Sequence, residues 1–541
     1  MKIRIILILA GFSFIISTTF TGCIEDTIPT NTVTDEVLRS STKAVEALML
    51  AIPAYANDLT AVSSDYSHNE WGYGSIIMIR NVMTEEFTKA TTSFGHFNSW
   101  MQNLNQGEGW RTGQFHWFFL NKWVLTTNLL FEAIDPATAS GPQLEYLGIG
   151  HAFRAFIYLE MAQMYEFLEN DKTNRITLSG NDILNYTVPI VTEHTTDSEA
   201  RNNPRVHRNV MVEFLLSDLN KAEELLASYS RPNKSLPNLA VVFGIKARLY
   251  MWIANYEKAE EYARRAINAP GGHRPLTEAE WHNTSSGFNT LATPSWMWGT
   301  QQLAENASVA TGIVNWTSWM SNEARFGYAA AGPRSMIDRR TYDLIDNDDW
   351  RKLSWKAPAD HPLAGLTPYI DDAYGATFPA YSSVKFRPNS GNMAEYRVGA
   401  ASAFPFMRIE EMYFIEAEAA AHQDAARGKD LLEAFMKQHR FDSYVCAATD
   451  RDGVVDEIFF QKRIEFWGEG ISFFDYKRLD KPVSRGYVGT NHIDAARFNT
   501  DGRPAWMNLT IVRSEKNANT AIMDWENPDP SGLYTRWTAP Q

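Results

Sequence analysis

The chain has 541 residues and carries 50 Lys and Arg against 64 Asp and Glu, a formal net charge of −14 at pH 7. Because nucleic-acid binding depends on clustered positive charge, an acidic chain without a basic block is predicted to have no nucleic-acid partner. Aromatic residues make up 13% of the chain and include 17 tryptophans, more than a core usually needs, which indicates stacking surfaces.

The first residues are predicted to be a processing segment rather than part of the fold. The apolar stretch Ile5–Ile16 follows two basic residues and is too short for a comfortable membrane span. Phe20-Thr21-Gly22-Cys23 resembles a bacterial lipobox, so residues 1–22 are predicted to be a signal peptide and Cys23 the lipidated N-terminus. The alternative is an ordinary secretory signal that contains Cys23. Residues 23–34, rich in Thr, Pro and Asn, are predicted to be a flexible tether.

Residues 35–270 are predicted to form an N-terminal helical scaffold that carries binding loops. The helices predicted before its closing hairpin are Asp35–Asn57, Ser75–Met83, Trp110–Ile134, Gln143–Leu168 and Val206–Tyr229. Ser63–Gly74 and Thr91–Gly109 are predicted loops rich in aromatic and amide side chains.

The closing segment, Leu239–Pro270, is predicted to be two amphipathic helices joined by a short turn, with Tyr256 filling the gap at the turn. In the second helix Tyr256, Ala259, Tyr262 and Ala266 recur at helical spacing, and this run resembles helix B of a tetratricopeptide repeat. The alternative is a generic helical hairpin. Such a unit cannot bury its apolar face alone, so other hairpins are expected to stack on it.

After Pro270 the helical period fails. Residues 271–403 are predicted to form a folded, loop-rich lobe, because the segment is too long and too aromatic for a disordered linker. Helices are predicted to return at Phe404 and at Val454–Trp467, before an extended tail from Asn499. Residues 404–541 are therefore predicted to pack on the scaffold as C-terminal helices and a tail.

Several segments together resemble one family, the SusD/RagB-type surface lipoproteins of Bacteroidetes. The matching segments, in the family's order, are Trp117–Ile134, Ala152–Phe156, Asp218–Leu226, Phe404–Ala419, Lys462–Arg478 and Val512–Asn517. Each motif alone is weak, and their joint order is specific. Gln461, Ser472 and Val512-Arg513 depart from the family pattern, at scaffold positions.

The resemblance implies a mainly α fold, a tetratricopeptide-like helical-hairpin scaffold with a large loop-rich aromatic lobe. It implies a non-catalytic glycan-binding lipoprotein without a cofactor, anchored through Cys23 in the outer membrane and facing the cell exterior. Glu25 and Asp26, directly after that cysteine, resemble a surface-export signal of such lipoproteins. The implied partners are an oligosaccharide and a SusC-like, TonB-dependent transporter.

Sugar recognition needs aromatic faces for the C–H patch of a pyranose ring and amide or charged groups for its hydroxyls. Two predicted loops, Phe94–Asn105 and Trp296–Trp319, offer that mixture. The predicted ligand-binding residues are Trp71, Trp100, Asn103, Trp296, Trp316 and Trp319. The alternative role for any single tryptophan is core packing.

Two other functions remain open at this stage. A glycoside hydrolase needs two carboxyl groups at a defined separation, and Asp348-Asp349, Asp371-Asp372 and Glu410-Glu411 are candidates, although adjacent acids point to different faces. A peptide-binding lipoprotein of RagB type would use a groove of the helical repeats. The sequence shows neither a metal-site cysteine pattern nor a catalytic motif, so we predict no catalytic and no metal-binding residues. The charged motif residues are predicted to pair with one another or to cap helix ends: Arg408, Glu410, Glu416, Glu465, Glu469, Asp475 and Arg478.

Overall fold

The structure is a computed structural model that describes residues 42–60, 62–63 and 65–540. The predicted signal peptide, the lipidation site Cys23 and the tether at 23–34 lie outside the described residues. None of the described helices combines the length and hydrophobicity needed to cross a membrane.

The described chain is mainly helical, as predicted. The first nine helices are α1 (Thr42–Tyr55), α2 (Tyr73–Met83), α3 (Asn98–Met101), α4 (Arg111–Ala133), α5 (Gly141–Tyr165), α6 (Asp197–Ala200), α7 (Arg208–Leu225), α8 (Leu239–Trp252) and α9 (Tyr256–Asn268). The next seven, all short, are α10 (Glu278–Trp281), α11 (Ala307–Ala310), α12 (Trp316–Met320), α13 (Gly327–Ala331), α14 (Arg339–Leu344), α15 (Asp372–Ala376) and α16 (Tyr396–Gly399). The C-terminal helices are α17 (Ile409–Gln423), α18 (Ala425–His439), α19 (Arg451–Glu465), α20 (Ser472–Arg478) and α21 (Arg513–Ala518).

The predicted hairpin is present as α8 and α9, which pack on each other. Asn255 caps α9 by accepting a hydrogen bond from the Lys258 amide. Tyr256 stacks on His422 of α17, with ring centroids 3.8 Å apart and an interplanar angle of 7°. The tyrosine at the turn therefore fills the junction between this hairpin and the next helix pair, α17 and α18, so the hairpins stack as the apolar faces require.

The described residues form two antiparallel two-stranded sheets. The strands are β1 (Phe87–Lys89), β2 (Trp296–Gln301), β3 (Ser335–Ile337) and β4 (Ala403–Arg408). β1 pairs with β3, and β2 pairs with β4.

The prediction that a helix begins at Phe404 is wrong, because Phe404 pairs with Thr300 in the β2–β4 sheet and α17 begins only at Ile409. Pro405 explains part of this difference, since proline has no amide donor for a helix interior and is tolerated at a sheet edge. The tail is also less extended than predicted, since it contains α21 and two short 3₁₀ turns, Ala505–Met507 and Thr520–Ile522.

The loop-rich segment 271–403 is folded around buried tryptophans. Six of its indoles are at most 2% exposed: Trp281, Trp296, Trp298, Trp316, Trp319 and Trp355. Trp298 contacts Phe156 of α5 at 4.8 Å between ring centroids and Phe406 of β4 at 5.2 Å. The abundance of tryptophan is thus used largely to build one continuous core between helices and loops.

Candidate functional site

The six predicted ligand-binding residues are all buried. Their exposed fractions are 1% for Trp71, 3% for Trp100, 1% for Asn103, 0% for Trp296 and 2% each for Trp316 and Trp319. A ring without an exposed face cannot stack on a sugar. Ligand contact by these six side chains therefore stays a prediction, because all six are buried in this structure.

Three of the six residues nevertheless converge. Trp71 and Trp316 flank Gly74, where a Cβ atom would overlap the Trp71 ring and lie 3.3 Å from Trp316. Phe97 joins Trp71 to Trp319 through two edge-to-face contacts, with centroid distances of 6.4 and 5.0 Å. These rings form a wall between the loop after β1 and α12.

The other three predicted residues lie apart from this wall. Trp100 packs on His116 of α4 at 5.1 Å, and the carbonyl of Asn103 accepts a hydrogen bond from the Gly532 amide of the tail. Burial lowers the pKa of His116 to about 3, with a smaller contribution from Arg80. Trp296 begins β2 opposite Arg408. The structure therefore separates Trp100, Asn103 and Trp296 from the converging rings.

Tyr328 extends this wall, since it stacks on Trp319 with centroids 4.1 Å apart and is itself only 6% exposed. Around Tyr328 lie two loops that carry exposed aromatic side chains. We call this surface the aromatic rim and define it by Tyr66, His68, Phe94, His96 and Tyr328. Phe94 is 51% exposed and Tyr66 is 41% exposed, so the rim presents ring faces to solvent beside a rigid aromatic core.

The backbone at Phe94 is strained. Its φ of 53° lies in the left-handed region, which is costly for a bulky aromatic residue. The Asn98 side-chain amide donates a hydrogen bond to the Thr92 carbonyl at 2.6 Å, and the His96 amide donates to the Phe94 carbonyl at 2.7 Å. The surrounding loop therefore holds an exposed phenyl ring in a position that the chain would not adopt by local preference.

Both rim loops are tied to the first turn of α4. Asn69 donates hydrogen bonds to the His96 carbonyl at 3.0 Å and to the Thr112 hydroxyl at 3.1 Å. Glu70 accepts from Arg111 at 2.5 Å and from the Ser67 amide at 2.9 Å. These contacts fix the relative positions of the two loops, which reduces the ordering cost of binding a ligand between them.

A buried lysine lies behind the rim. Lys89 of β1 donates to the Ser335 hydroxyl at 2.8 Å and to the Trp319 carbonyl at 3.4 Å. Burial holds the pKa of Lys89 well below its usual range, so the amine is uncharged more readily than an exposed lysine. The group therefore supports the position of Trp319 through its hydrogen bond to the Trp319 carbonyl.

Six of the seven charged motif residues pair with another member of the set, as predicted, and Glu416 pairs outside it. A buried ion network, defined by eight side chains, joins the loop-rich segment to α17, α18 and α19: Asp349, Arg351, Lys385, Arg408, Glu410, Arg440, Glu465 and Glu469. Outside this network Glu416 pairs with Arg264 of α9, and Asp475 pairs with Lys462 and Arg478.

Four of the six carboxylates that were candidates for hydrolysis lie in ion pairs. Glu410 faces Arg408 at 3.1 Å, whereas its neighbour Glu411 pairs with Arg248 at 2.6 Å. Asp349 pairs with Arg351, and Asp371 pairs with Arg325. Glu410 and Glu411 thus face different partners, as expected for neighbours in sequence.

Tyr66 and Phe94 lie in predicted aromatic loops, whereas His68, His96 and Tyr328 are not among the site residues that the sequence predicts. The two histidines are 28 positions apart, and Tyr328 lies in a short helix of the loop-rich segment, so no spacing pattern connects them. The pairing of β1 with β3 and the hydrogen bond from Asn69 to the His96 carbonyl bring these segments together.

The chain is similar to known proteins at two levels. Residues 359–534 match the SusD family. No curated protein matches the chain. Among solved structures, a SusD-like carbohydrate binding protein from Bacteroides vulgatus is 22% identical with a TM-score of 0.68, covering 89% of this chain and 97% of its own.

Two further structures show the same fold. A SusD superfamily protein from Bacteroides thetaiotaomicron is 15% identical with a TM-score of 0.67, covering 90% of this chain and 99% of its own. Another from Bacteroides fragilis is 16% identical with a TM-score of 0.61, covering 89% and 99%. The predicted SusD/RagB-like resemblance is confirmed, and with it the SusD-like fold class.

Proposed function

Since this chain is SusD/RagB-like, we propose that it is a non-catalytic glycan-binding lipoprotein of the cell surface. It captures oligosaccharides at the aromatic rim and delivers them to a SusC-like, TonB-dependent transporter of the outer membrane. The observation that carries the proposal is the exposed, conformationally held Phe94, whose ring lies 5.5 Å from that of Tyr328. The similar carbohydrate-binding protein from Bacteroides vulgatus supports the ligand class.

The rim has the physical properties that a sugar site requires. Phe94 and Tyr66 offer ring faces for the C–H patch of a pyranose, and the histidine nitrogens and the Tyr328 hydroxyl offer hydrogen bonds to its hydroxyl groups. The buried rings Trp319, Phe97 and Trp71 hold these groups in place from behind. We therefore propose that the predicted tryptophans act mostly through this support.

Affinity electrophoresis of residues 24–541 against a panel of polysaccharides tests the proposal. Phe94→Ala should weaken retardation by the recognised glycan about twofold to tenfold, because one aromatic contact contributes about 0.5–1.5 kcal/mol beyond its area burial. Phe118→Ala is the matched control, since Phe118 is 37% exposed on α4, outside the rim. Trp100→Ala and Trp319→Ala belong in the same series, because they test the predicted tryptophans directly.

A second variant separates loss of the ring from loss of folding. Phe94→Gly removes the ring and also relieves the strain of its positive φ, since glycine adopts this conformation freely. This variant should be at least as stable as the wild type while binding as weakly as Phe94→Ala. Unchanged retardation in both variants would refute the rim as the glycan site. A panel without any retarding glycan, together with binding to a peptide array, would favour the RagB-type peptide function.

Anchoring and delivery rest on the sequence resemblance and need their own tests. Cys23→Ala should abolish incorporation of labelled fatty acid and shift the protein from the membrane fraction to the soluble fraction. Delivery predicts that the wild-type chain co-purifies from outer membranes with a TonB-dependent transporter. Acylation that persists in Cys23→Ala would contradict the predicted lipidation site.

A further inference from the structure

Two histidines of the aromatic rim point at one tyrosine oxygen. His68 Nδ1 makes a short hydrogen bond with the Tyr328 hydroxyl, and His96 Nε2 lies 3.3 Å from the same oxygen. The two imidazole rings are 4.8 Å apart at their centroids and tilted by 31°. Three donor atoms from three chain segments therefore converge on one small volume, where two partly exposed histidines meet the buried Tyr328.

We propose that His68, His96 and Tyr328 bind a divalent transition-metal ion such as Zn²⁺ or Cu²⁺. Among the described residues, no group of three or more His, Cys, Asp and Glu side chains is arranged to hold a metal ion. This site differs because its third donor is a tyrosine. A bound ion would occupy the histidine and Tyr328 atoms that are also proposed to contact sugar hydroxyls, whereas the ring face of Phe94 takes no part in metal binding.

The donor set selects the kind of metal. Imidazole nitrogen suits Zn²⁺, Cu²⁺ and Ni²⁺, whereas Ca²⁺ and Mg²⁺ take oxygen ligands. Metal ligands bind in their deprotonated forms, so the affinity should fall as the solution becomes more acidic.

The surroundings of the donors are already ordered. Asn69 holds the backbone of His96 through its carbonyl, and Tyr328 is packed flat against Trp319. His68 and His96 are both partly exposed, so an ion and its water ligands can reach them from solvent. With three protein donors and open positions for water, the site resembles an exchangeable zinc or copper site more than a closed structural one.

Isothermal titration of the full chain, purified without a histidine tag, with ZnCl₂ and CuCl₂ tests the site. One ion should bind per chain. His68→Gln and His96→Gln should each weaken metal affinity at least tenfold, because loss of a group that only supports a metal ligand already costs about tenfold. His194→Gln is the matched control, since His194 is 87% exposed beside Glu193, on another part of the surface. Tyr328→Phe should weaken binding while it keeps the stack on Trp319.

Tryptophan fluorescence gives a second readout. The Trp319 ring lies 6.1 Å from the ring of His96, so bound Cu²⁺ should quench its emission in the wild type but not in His96→Gln. Urea denaturation of each variant shows whether the fold is retained. Binding that is absent in the wild type, or equal in the wild type and both histidine variants, would overturn the proposal. Neither outcome affects the loss of retardation that is expected for Phe94→Ala on the glycan, so the two proposals fail separately.

Discussion

Replacement of Glu465 by glutamine should strongly destabilise the protein. Glu465 is fully buried at the end of α19 and accepts hydrogen bonds from Arg440 at 2.7 Å, Arg351 at 2.9 Å and Arg408 at 3.1 Å. The ion network has four cationic and four anionic members, so it is neutral when every member is ionised. Glu465→Gln would leave an uncompensated positive charge among guanidinium groups that are 0% exposed.

Breaking a buried ion pair by removal of one partner costs about 3–5 kcal/mol, and we expect a loss of that size in the free energy of unfolding. Burial opposes ionisation of Glu465, but Arg440, Arg408 and Arg351 outweigh it and hold the pKa of this carboxyl well below its usual range. Because the folded-state pKa is depressed, the stabilisation is complete above the unfolded pKa of about 4.3 and is lost as the pH falls further. The difference between wild type and variant should therefore be constant near neutrality and shrink in acid.

Urea denaturation at pH 7, followed by tryptophan fluorescence and far-ultraviolet circular dichroism, measures this difference. Asp452→Asn is the control, since it removes one partner of an exposed pair with Arg451, and the transition should not move. A loss below about 1 kcal/mol in Glu465→Gln would show that solvent reaches the network, and the argument from desolvation would then be wrong.

Two further predictions follow from buried titratable groups. Burial alone would raise the pKa of Asp338, but His492, Tyr487 and the Thr341 amide lower it to about 2. Asp338→Asn should therefore destabilise the protein at pH 7, by an amount that disappears between about pH 4 and pH 2. Urea midpoints of wild type and variant that differ equally at pH 7 and pH 2 would contradict this. Burial lowers the pKa of Lys89, so the free energy of unfolding of the wild type should rise with pH toward the unfolded pKa of about 10.4. Lys89→Met should flatten this dependence of stability on pH. An identical dependence in both proteins would show that Lys89 is charged in the fold.

The helical scaffold could be predicted because its signals are local. In α9, Tyr256, Ala259 and Ala266 repeat at helical spacing, and the cap at Asn255 marks its start. The pairing of the charged motif residues was predictable for another general reason, since charges beside apolar helices need partners. The partner of each charge was not, because Arg351 and Glu465 are 114 positions apart.

The strand at β4 and the surface of the site could not be predicted in the same way. Phe404 and Phe406 fit either a buried helix or a buried strand, and only the partner strand β2 decides between them. Exposure of an aromatic ring is also a tertiary property. Trp319 and Phe94 both lie in segments that the sequence predicts to be aromatic loops, yet Tyr328 covers the first ring and leaves the second exposed.

Gly428, in the second turn of α18, is another position where a tertiary contact that the sequence does not reveal decides the effect of a substitution, and this effect can be tested. Glycine in a helix interior costs up to about 1 kcal/mol relative to alanine, so sequence alone predicts that Gly428→Ala stabilises the protein. In the structure a Cβ atom at this position would overlap the Ala421 backbone of α17 and lie 2.5 Å from its nitrogen. Backbone atoms cannot yield as a flexible side chain can, so the two helices would have to separate.

Overpacking of this kind costs about 1–3 kcal/mol, which exceeds the gain in helix propensity. We therefore expect Gly428→Ala to lower the free energy of unfolding. Gly141→Ala, in the exposed first turn of α5, is the control, because no atom lies within 4 Å of the added Cβ and its stability should be unchanged or raised. Equal or greater stability of Gly428→Ala would mean that α17 and α18 can move apart without loss, and that their close approach is not what requires the glycine.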